Sequence, residues 1–466
     1  VFVVTTLVVN GGAEKDYRQG DSGSSRYYGL QISPFQTVSK ELWLLRSLKR
    51  FLGRLTLLLL GLIVPLFLIE AGVRLLRLAP PPEPNPAIWQ PHPLFGWGHI
   101  PNSGGLFHSN YNEFAAEVRI NARGLRDREI GYDNPTGAVR ILSLADSFGE
   151  ALQVNLEQTY HKQLEDLLAE SLARSVEVIN AGSGGWGTDQ EAIFYVAEGF
   201  RYNPQIVLLA FFIRNDVVNN YGPLELASVS GSQQKQFFTL SPQGELIPPP
   251  VEQVVKPEST ISLTEPRLDQ EAPPLLSVAD LLWNWSALYR LLVPYLRDIP
   301  AVVQRLGPSG ILGGEGAVRA KHPTTPVHFY TYQNPPNQDF EAAWQLTEAI
   351  IKRLRAEVEQ RGAKLVVMLV GAPEQVYPEQ WQRLLATNPA LSAGVMDVDA
   401  PNRRLNAFLA REDILHLDLL PIFRQAAAQP EAAPLHFLHD GHWTVAGHRL
   451  AAESIQDFLR KNKLLE

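Results

Sequence analysis

Five apolar runs of strand length, at residues 139–144, 176–179, 206–212, 365–370 and 414–417, constrain the fold more than any other feature of the chain. They are continuous rather than alternating, as expected of strands buried on both faces. Segments that suit helices follow four of them, at residues 156–172, 188–200, 401–409 and 444–459. Buried strands alternating with helices imply a parallel sheet covered on both sides, an α/β three-layer sandwich. In such a sheet, function sits at the C-terminal ends of the strands.

Between the third and fourth runs the chain departs for about 150 residues, too far for a simple crossover, so this stretch must carry structure of its own. Residues 237–247 (FFTLSPQGELI) read as a hairpin turning at Pro242, Gln243 and Gly244, and 248–274 as an irregular linker. Residues 276–296, rich in Leu with Trp283, Trp285 and Tyr289, read as one amphipathic helix that is core, a lid, or a membrane-surface element. Residues 340–360 read as a long helix entering the fourth strand, and no internal repeat is present.

Upstream, residues 55–69 carry no charge, and the apolar character extends from 51 to 78. At about 1.5 Å per residue, 51–73 covers a bilayer core of about 30 Å, so a transmembrane helix is expected. Lys40, Arg46, Lys49, Arg50 and Arg54 crowd its N-terminal flank, which predicts a cytoplasmic N-terminus and an extracytoplasmic remainder. Residues 75–82 lack a small-x-small cleavage site, so a retained single-pass anchor is expected. Seven prolines in 80–93 suggest an extended spacer. Residues 1–40 show no sustained period and are expected to be poorly ordered. The chain begins with valine and its only methionines are Met368 and Met396, so a translation start at a valine such as Val38 is expected. The domain reading is thus 1–40 N-terminal segment, 41–79 anchor and flanks, 80–138 spacer and lead-in, and 139–466 a catalytic-type domain with an insertion at 221–339.

A formal charge of −8 argues against a nucleic-acid partner. The absence of cysteine excludes a disulfide framework, a Cys-ligated metal and a thiol nucleophile, leaving oxygen or nitrogen for covalent chemistry. Candidates stand at the strand ends. Ser147 follows the first strand in LADSFGE; NAGSGGWGT, a loop whose backbone N–H groups can approach a ligand, follows the second; Arg214, Asn215 and Asp216 follow the third. The segment HFLHDGHWTVAGH near the C-terminus holds four of the eleven histidines and sets Asp440 two residues before His442. Read singly, each has an ordinary role: Ser147 or Asp146 as a helix cap, the glycines as a tight turn, Asp216 as a cap, the histidines as loop residues or metal ligands. No lysine follows the glycine loop as a phosphate-binding loop would require.

Taken in order, Ser, Gly, Asn and the Asp/His pair resemble the SGNH (GDSL-type) hydrolase family, and VRINARGLRD at 118–127 looks like the lead-in of membrane-anchored bacterial members. The resemblance implies a parallel five-stranded flavodoxin-like sheet. It implies Ser147 as nucleophile, His442 as general base, Asp440 orienting the imidazole, and the Gly185 N–H with the Asn215 side chain as oxyanion donors. The Ser147 N–H is a further donor. No cofactor or metal is implied. Two departures stand out: Ala145 occupies a position that is usually Gly, adding a methyl to a turn, and Asp and His are two apart instead of three. His439 is the reserve base, and Arg214 is placed to salt-bridge locally or to bind an anionic group.

The implied activity is a serine esterase acting on an ester substrate such as an acetylated extracytoplasmic glycan, with the membrane contacted through residues 51–77. An O-acetyltransferase would use the same site with a sugar hydroxyl replacing water. A non-catalytic polysaccharide-binding protein on a decayed fold is the alternative of a different class, with Trp186 and Trp443 stacking on sugars.

Overall fold

The computed structural model describes residues 35–228, 235–249, 277–313 and 326–465. Of the segment expected to be poorly ordered over 1–40, residues 1–34 lie outside the described residues and 35–40 instead begin a helix, continuous with the apolar run that follows; most of the linker expected over 248–274 also lies outside them. The chain divides into two units, Val1–Leu68 and Ile69–Glu466. In the first, helix Phe35–Leu75 begins and runs on into the second; its stretch Leu45–Leu75 is long and apolar enough to cross a membrane.

The second unit is built on five parallel strands: β1 Val139–Ala145, β2 Val176–Gly182, β3 Ile206–Phe212, β4 Lys364–Val370 and β5 Leu415–Asp418. Their order across the sheet is β5-β4-β3-β1-β2, the flavodoxin-like arrangement. Two apolar layers explain the continuous runs. Leu142, Leu144, Val207, Leu209 and Val367 face one core with helices Thr188–Ala197 and Gln338–Gln360. Their alternate neighbours Ile141, Leu208, Ala210 and Met368 face the other with helices Tyr160–Leu172 and Val445–Lys461. A period-2 pleat with apolar layers on both sides removes the polar alternation of a one-sided sheet.

The chain leaves β1 toward β2 on one side and returns to β3 on the other, so a crevice opens outside the C-terminal ends of β1 and β3. Ser147 and Asn215 follow these two strands directly. The lead-in acts as a clamp on this edge. The buried Arg126 guanidinium donates to the carbonyls of Glu150, Ala151 and Val154, at the end of the turn that carries Ser147. Asp127 accepts from the Asn180 N–H at 2.9 Å and pairs with the buried Lys162 ammonium at 2.7 Å.

The excursion between β3 and β4 contains the expected hairpin, Thr239–Leu240 against Leu246–Ile247. The single helix expected over 276–296 is instead two, Val278–Trp285 and Ala287–Arg297. Ser286 separates them in extended conformation, and its hydroxyl caps the second helix by accepting from the Tyr289 N–H. A serine competes for backbone donors and so favours a helix start over a helix interior.

Candidate active site

Ser147 opens a one-turn helix, Ser147–Glu150, at the end of β1. Asp146 is its N-cap, the carboxylate accepting from the Phe148 N–H at 2.9 Å. The capping role weighed for this pair therefore falls to Asp146 and leaves the Ser147 hydroxyl for other partners. The turn lies unusually close to the sheet. A Cβ on Gly149 would stand 2.3 Å from the Ala145 methyl, and one on Gly182 would stand 2.4 Å from the Glu150 nitrogen. Ala145 is a buried strand residue whose φ is not positive, so the methyl brings no backbone strain; the glycine at 149 makes room for it.

The Ser147 hydroxyl lies 2.7 Å from His442 Nε2, and His442 Nδ1 lies 2.7 Å from Asp440 Oδ1. One carboxylate thus serves ring and backbone at once, since Asp440 Oδ1 also accepts the His442 N–H at 3.2 Å. The two-residue spacing is met by a closed turn. Phe437 N–H donates to the His442 carbonyl, Gly441 N–H donates to Phe437, and Gly441 adopts φ +84°, a conformation suited to glycine. Both side chains keep about a quarter of their surface exposed, 24% for His442 and 22% for Asp440. The buried Phe148 ring packs at 4.9 Å on the imidazole and braces it from the sheet side.

Burial disfavours the imidazolium of His442, but the charge and hydrogen bond of Asp440, with a contribution from Asp146, outweigh it and raise its pKa above the ordinary value. For Asp440, burial acts upward, and the His442 charge and bonds, aided by the Gln153 side chain, hold the carboxyl below its usual range. Burial pushes Asp146 up to about 6, against the pull of the Phe148 N–H, His442 and the Asn215 side chain.

Gly185 follows β2 with φ +75°, and Trp97 lies against it, its ring 3.5 Å from where a Cβ would stand. The Trp97 indole N–H donates to the Gly184 carbonyl at 2.9 Å. Asn215 follows β3 directly, and its side chain helps hold the Asp146 carboxyl down against burial. Asp216 is buried and accepts from the Phe212 N–H at 2.6 Å and from the Thr188 hydroxyl at 3.1 Å.

Several residues are placed differently from the sequence reading. Trp186 and Trp443 are buried, at 4% and 1% exposure, and present no face to a sugar. Trp97, only half-buried, stands at the glycine loop instead. His439 stacks on Tyr111 at 4.6 Å, while His442 holds the serine contact. Arg214 takes the local salt bridge, 3.2 Å from both oxygens of Glu374, whose Oε1 also accepts from the Tyr332 hydroxyl. Glu113 carries no motif, yet its carboxylate accepts the N–H groups of His439 and Asp440, each at 3.0 Å, and so fixes the turn. Among the described residues no group of three or more His, Asp or Glu could hold a metal ion.

Residues 329–466 match the family model described as the SGNH hydrolase-like domain of the acetyltransferase AlgX. No curated protein matches the chain. Among solved structures, TesA shows 12% identity and a TM-score of 0.33 over 70% of this chain and 99% of its own. The acetyl xylan esterase AlAXEase shows 11% and 0.33 over 68% and 98%. A two-domain esterase (CEX) active on acetylated mannans shows 11% and 0.31 over 70% of this chain and 50% of its own. The stretch that holds Asp440 and His442 is thus similar to an SGNH hydrolase-like domain, and the sheet it completes is flavodoxin-like.

Proposed function

We propose that this chain is a membrane-anchored, extracytoplasmic enzyme that acts on carboxylic esters through an acyl-serine intermediate. The observation that carries the reading is the hydrogen-bonded chain from Ser147 through His442 to Asp440, 2.7 Å at each step. A serine hydroxyl is a weak nucleophile near neutrality until an imidazole takes its proton, and the resulting imidazolium is stabilised by a carboxylate on its far nitrogen. As Ser147 attacks the ester carbonyl, His442 accepts the hydroxyl proton and the carbonyl oxygen gains charge. The Gly185 N–H, an Asn215 side-chain N–H and the Ser147 N–H are the donors assigned to that oxygen. His442 then returns the proton to the leaving alcohol, and the acyl group stays on Ser147. A second hydroxyl compound, deprotonated by His442 in turn, releases the acyl group and restores the serine.

Whether that second compound is water or a sugar hydroxyl separates an esterase from an O-acetyltransferase. The match of residues 329–466 to a domain described from an acetyltransferase supports an acetyl group and keeps transfer as the second reading. The basic flank before the apolar helix supports an anchor with the domain outside the cytoplasm.

Ser147→Ala tests the reading. Labelling by a serine-reactive fluorophosphonate should vanish, and kcat on an acetylated aryl ester should fall by about 10⁶-fold. Labelling or turnover that survives the substitution sinks the proposal. Adding an oligosaccharide acceptor separates the two outcomes: acetylated sugar marks transfer, and free acetate alone marks hydrolysis.

A further inference from the structure

The two helices of the excursion bury one side and leave the other bare. Ala287, Arg290, Val293 and Pro294 are buried, and Val293 joins Val303 and Leu312 in a small core on which Trp283 packs. On the opposite side Val278, Leu281 and Trp285 are exposed by 64%, 46% and 77%, and Leu292 by 47%. Residues 278, 281 and 285 fall on one arc of the first helix, and Leu292 stands on the exposed arc of the second, beside Tyr295, whose ring packs on Tyr111 and His439. The charged residues Asp280, Arg290 and Arg297 fall on other arcs of the two helices. Large apolar side chains left bare on two neighbouring helices indicate a surface that meets something apolar.

The structure also fixes where this surface lies along the chain. Glu70, in the last turns of the apolar helix Phe35–Leu75, accepts the N–H groups of Ala287 and Leu288 at 2.7 and 2.8 Å and the Ser286 hydroxyl at 3.0 Å. Arg74, one turn on, donates to the Trp285 carbonyl. The spacer that follows is fastened to the buried side, its Pro80 and Pro82 carbonyls accepting from Arg290 and from the Trp283 indole. The bare face is thus tied at Trp285 to the exit end of the apolar helix, where aromatic side chains settle at head-group level.

We propose that the outward face of helices Val278–Trp285 and Ala287–Arg297 lies in the head-group region of the bilayer crossed by the apolar helix, with Trp285 and Leu292 inserted. The proposal rests on the anchor reading and extends it from a tether to a second lipid contact. An amphipathic helix in this position buries its apolar side about 5–10 Å into the boundary between head groups and acyl chains. The contact leads toward the candidate site. Tyr295 meets His439 edge-on at 5.2 Å, the Tyr111 hydroxyl donates to Asp298 at 2.9 Å, and Tyr111 stacks on His439 next to Asp440. The helices that meet lipid therefore also support the turn of the proposed base.

The absence of cysteine permits a direct test in the full chain. Single substitutions Trp285→Cys, Leu292→Cys, Asp280→Cys and Leu60→Cys would be labelled with an environment-sensitive fluorophore in phosphatidylcholine–phosphatidylglycerol vesicles, with circular dichroism verifying each fold. Positions 285 and 292 should lose emission to lipids spin-labelled near the head group and resist aqueous iodide. Position 280 should be quenched by iodide, and position 60 by lipids spin-labelled deep in the acyl chain. If 60 is quenched by the deep label while 285 and 292 are as open to iodide as 280, the anchor stands and the surface contact is refuted. If 60 fails, the anchor reading falls and takes the contact with it. Positions 285 and 292 shielded from iodide yet silent to both lipid labels would mean that a second copy of the chain covers the face, which also overturns the proposal.

Discussion

His442 sits between burial, which favours its neutral form, and two carboxylates, which favour the charged one; the carboxylates prevail. In the proposed reaction only the neutral imidazole can accept the Ser147 proton. Because its pKa is raised, activity is lost as pH falls through a midpoint above the 6.5 of free imidazole. The acid limb of kcat/KM should therefore be centred above 6.5. Asp440→Asn removes the main upward influence, so it should move that limb to lower pH and reduce kcat by about 10⁴-fold. An unmoved limb would mean that Asp440 does not govern the imidazole. At this scale the sequence singled out the residues that have a motif: Ser147, Asp440 and His442 are brought into one hydrogen-bonded row from positions almost 300 residues apart. It was silent on Glu113, Gln153 and Phe148, whose parts depend on contacts from distant segments and on no local pattern.

Four of the five strands were legible to within one residue at each end, because burial on both faces leaves an uninterrupted apolar run. The second run stops three residues short, at 179 instead of Gly182, because the polar Asn180 and the Gly182 obscure its end. The junction at Ser286 was not, since a serine between two leucine-rich turns fits a helical period as easily as it caps a new helix. Nor could sequence show how tightly the turn after β1 presses on the sheet. Ala145 looked like a misfit there, yet its methyl occupies space that a glycine at 149 leaves open. Gly149→Ala should place two methyl carbons in collision and cost about 1–3 kcal/mol of stability, as overpacking of a filled core does. Adding Ala145→Gly should recover most of that loss. Urea unfolding of the two single variants and the pair measures it, and a harmless Gly149→Ala would show that the turn can move away from β1.

As a whole the molecule divides where its chemistry changes, at residue 68. None of residues 45–68 is buried, so their removal uncovers no core. A chain beginning at Ile69 keeps Glu70 and Arg74, and it should show the same melting midpoint by circular dichroism as the full chain in detergent. A marked fall would mean that the first unit contributes to the stability of the second. The order of elements could be read in advance because a parallel sheet dictates crossovers. What the long excursion does could not, since its exposed faces depend on which arc is covered. The turn from Phe437 to His442 is closed on itself by hydrogen bonds. It carries both the carboxylate and the imidazole, so aligning them with the alcohol is a two-body problem, with one rigid block registered against one strand end. A small sideways slip of that block would disconnect all three groups together. Its moorings reach it from Glu113 and, by way of Tyr295 and His439, from the excursion, so that in the proposed reaction activity would be an all-or-none property of the assembled shell.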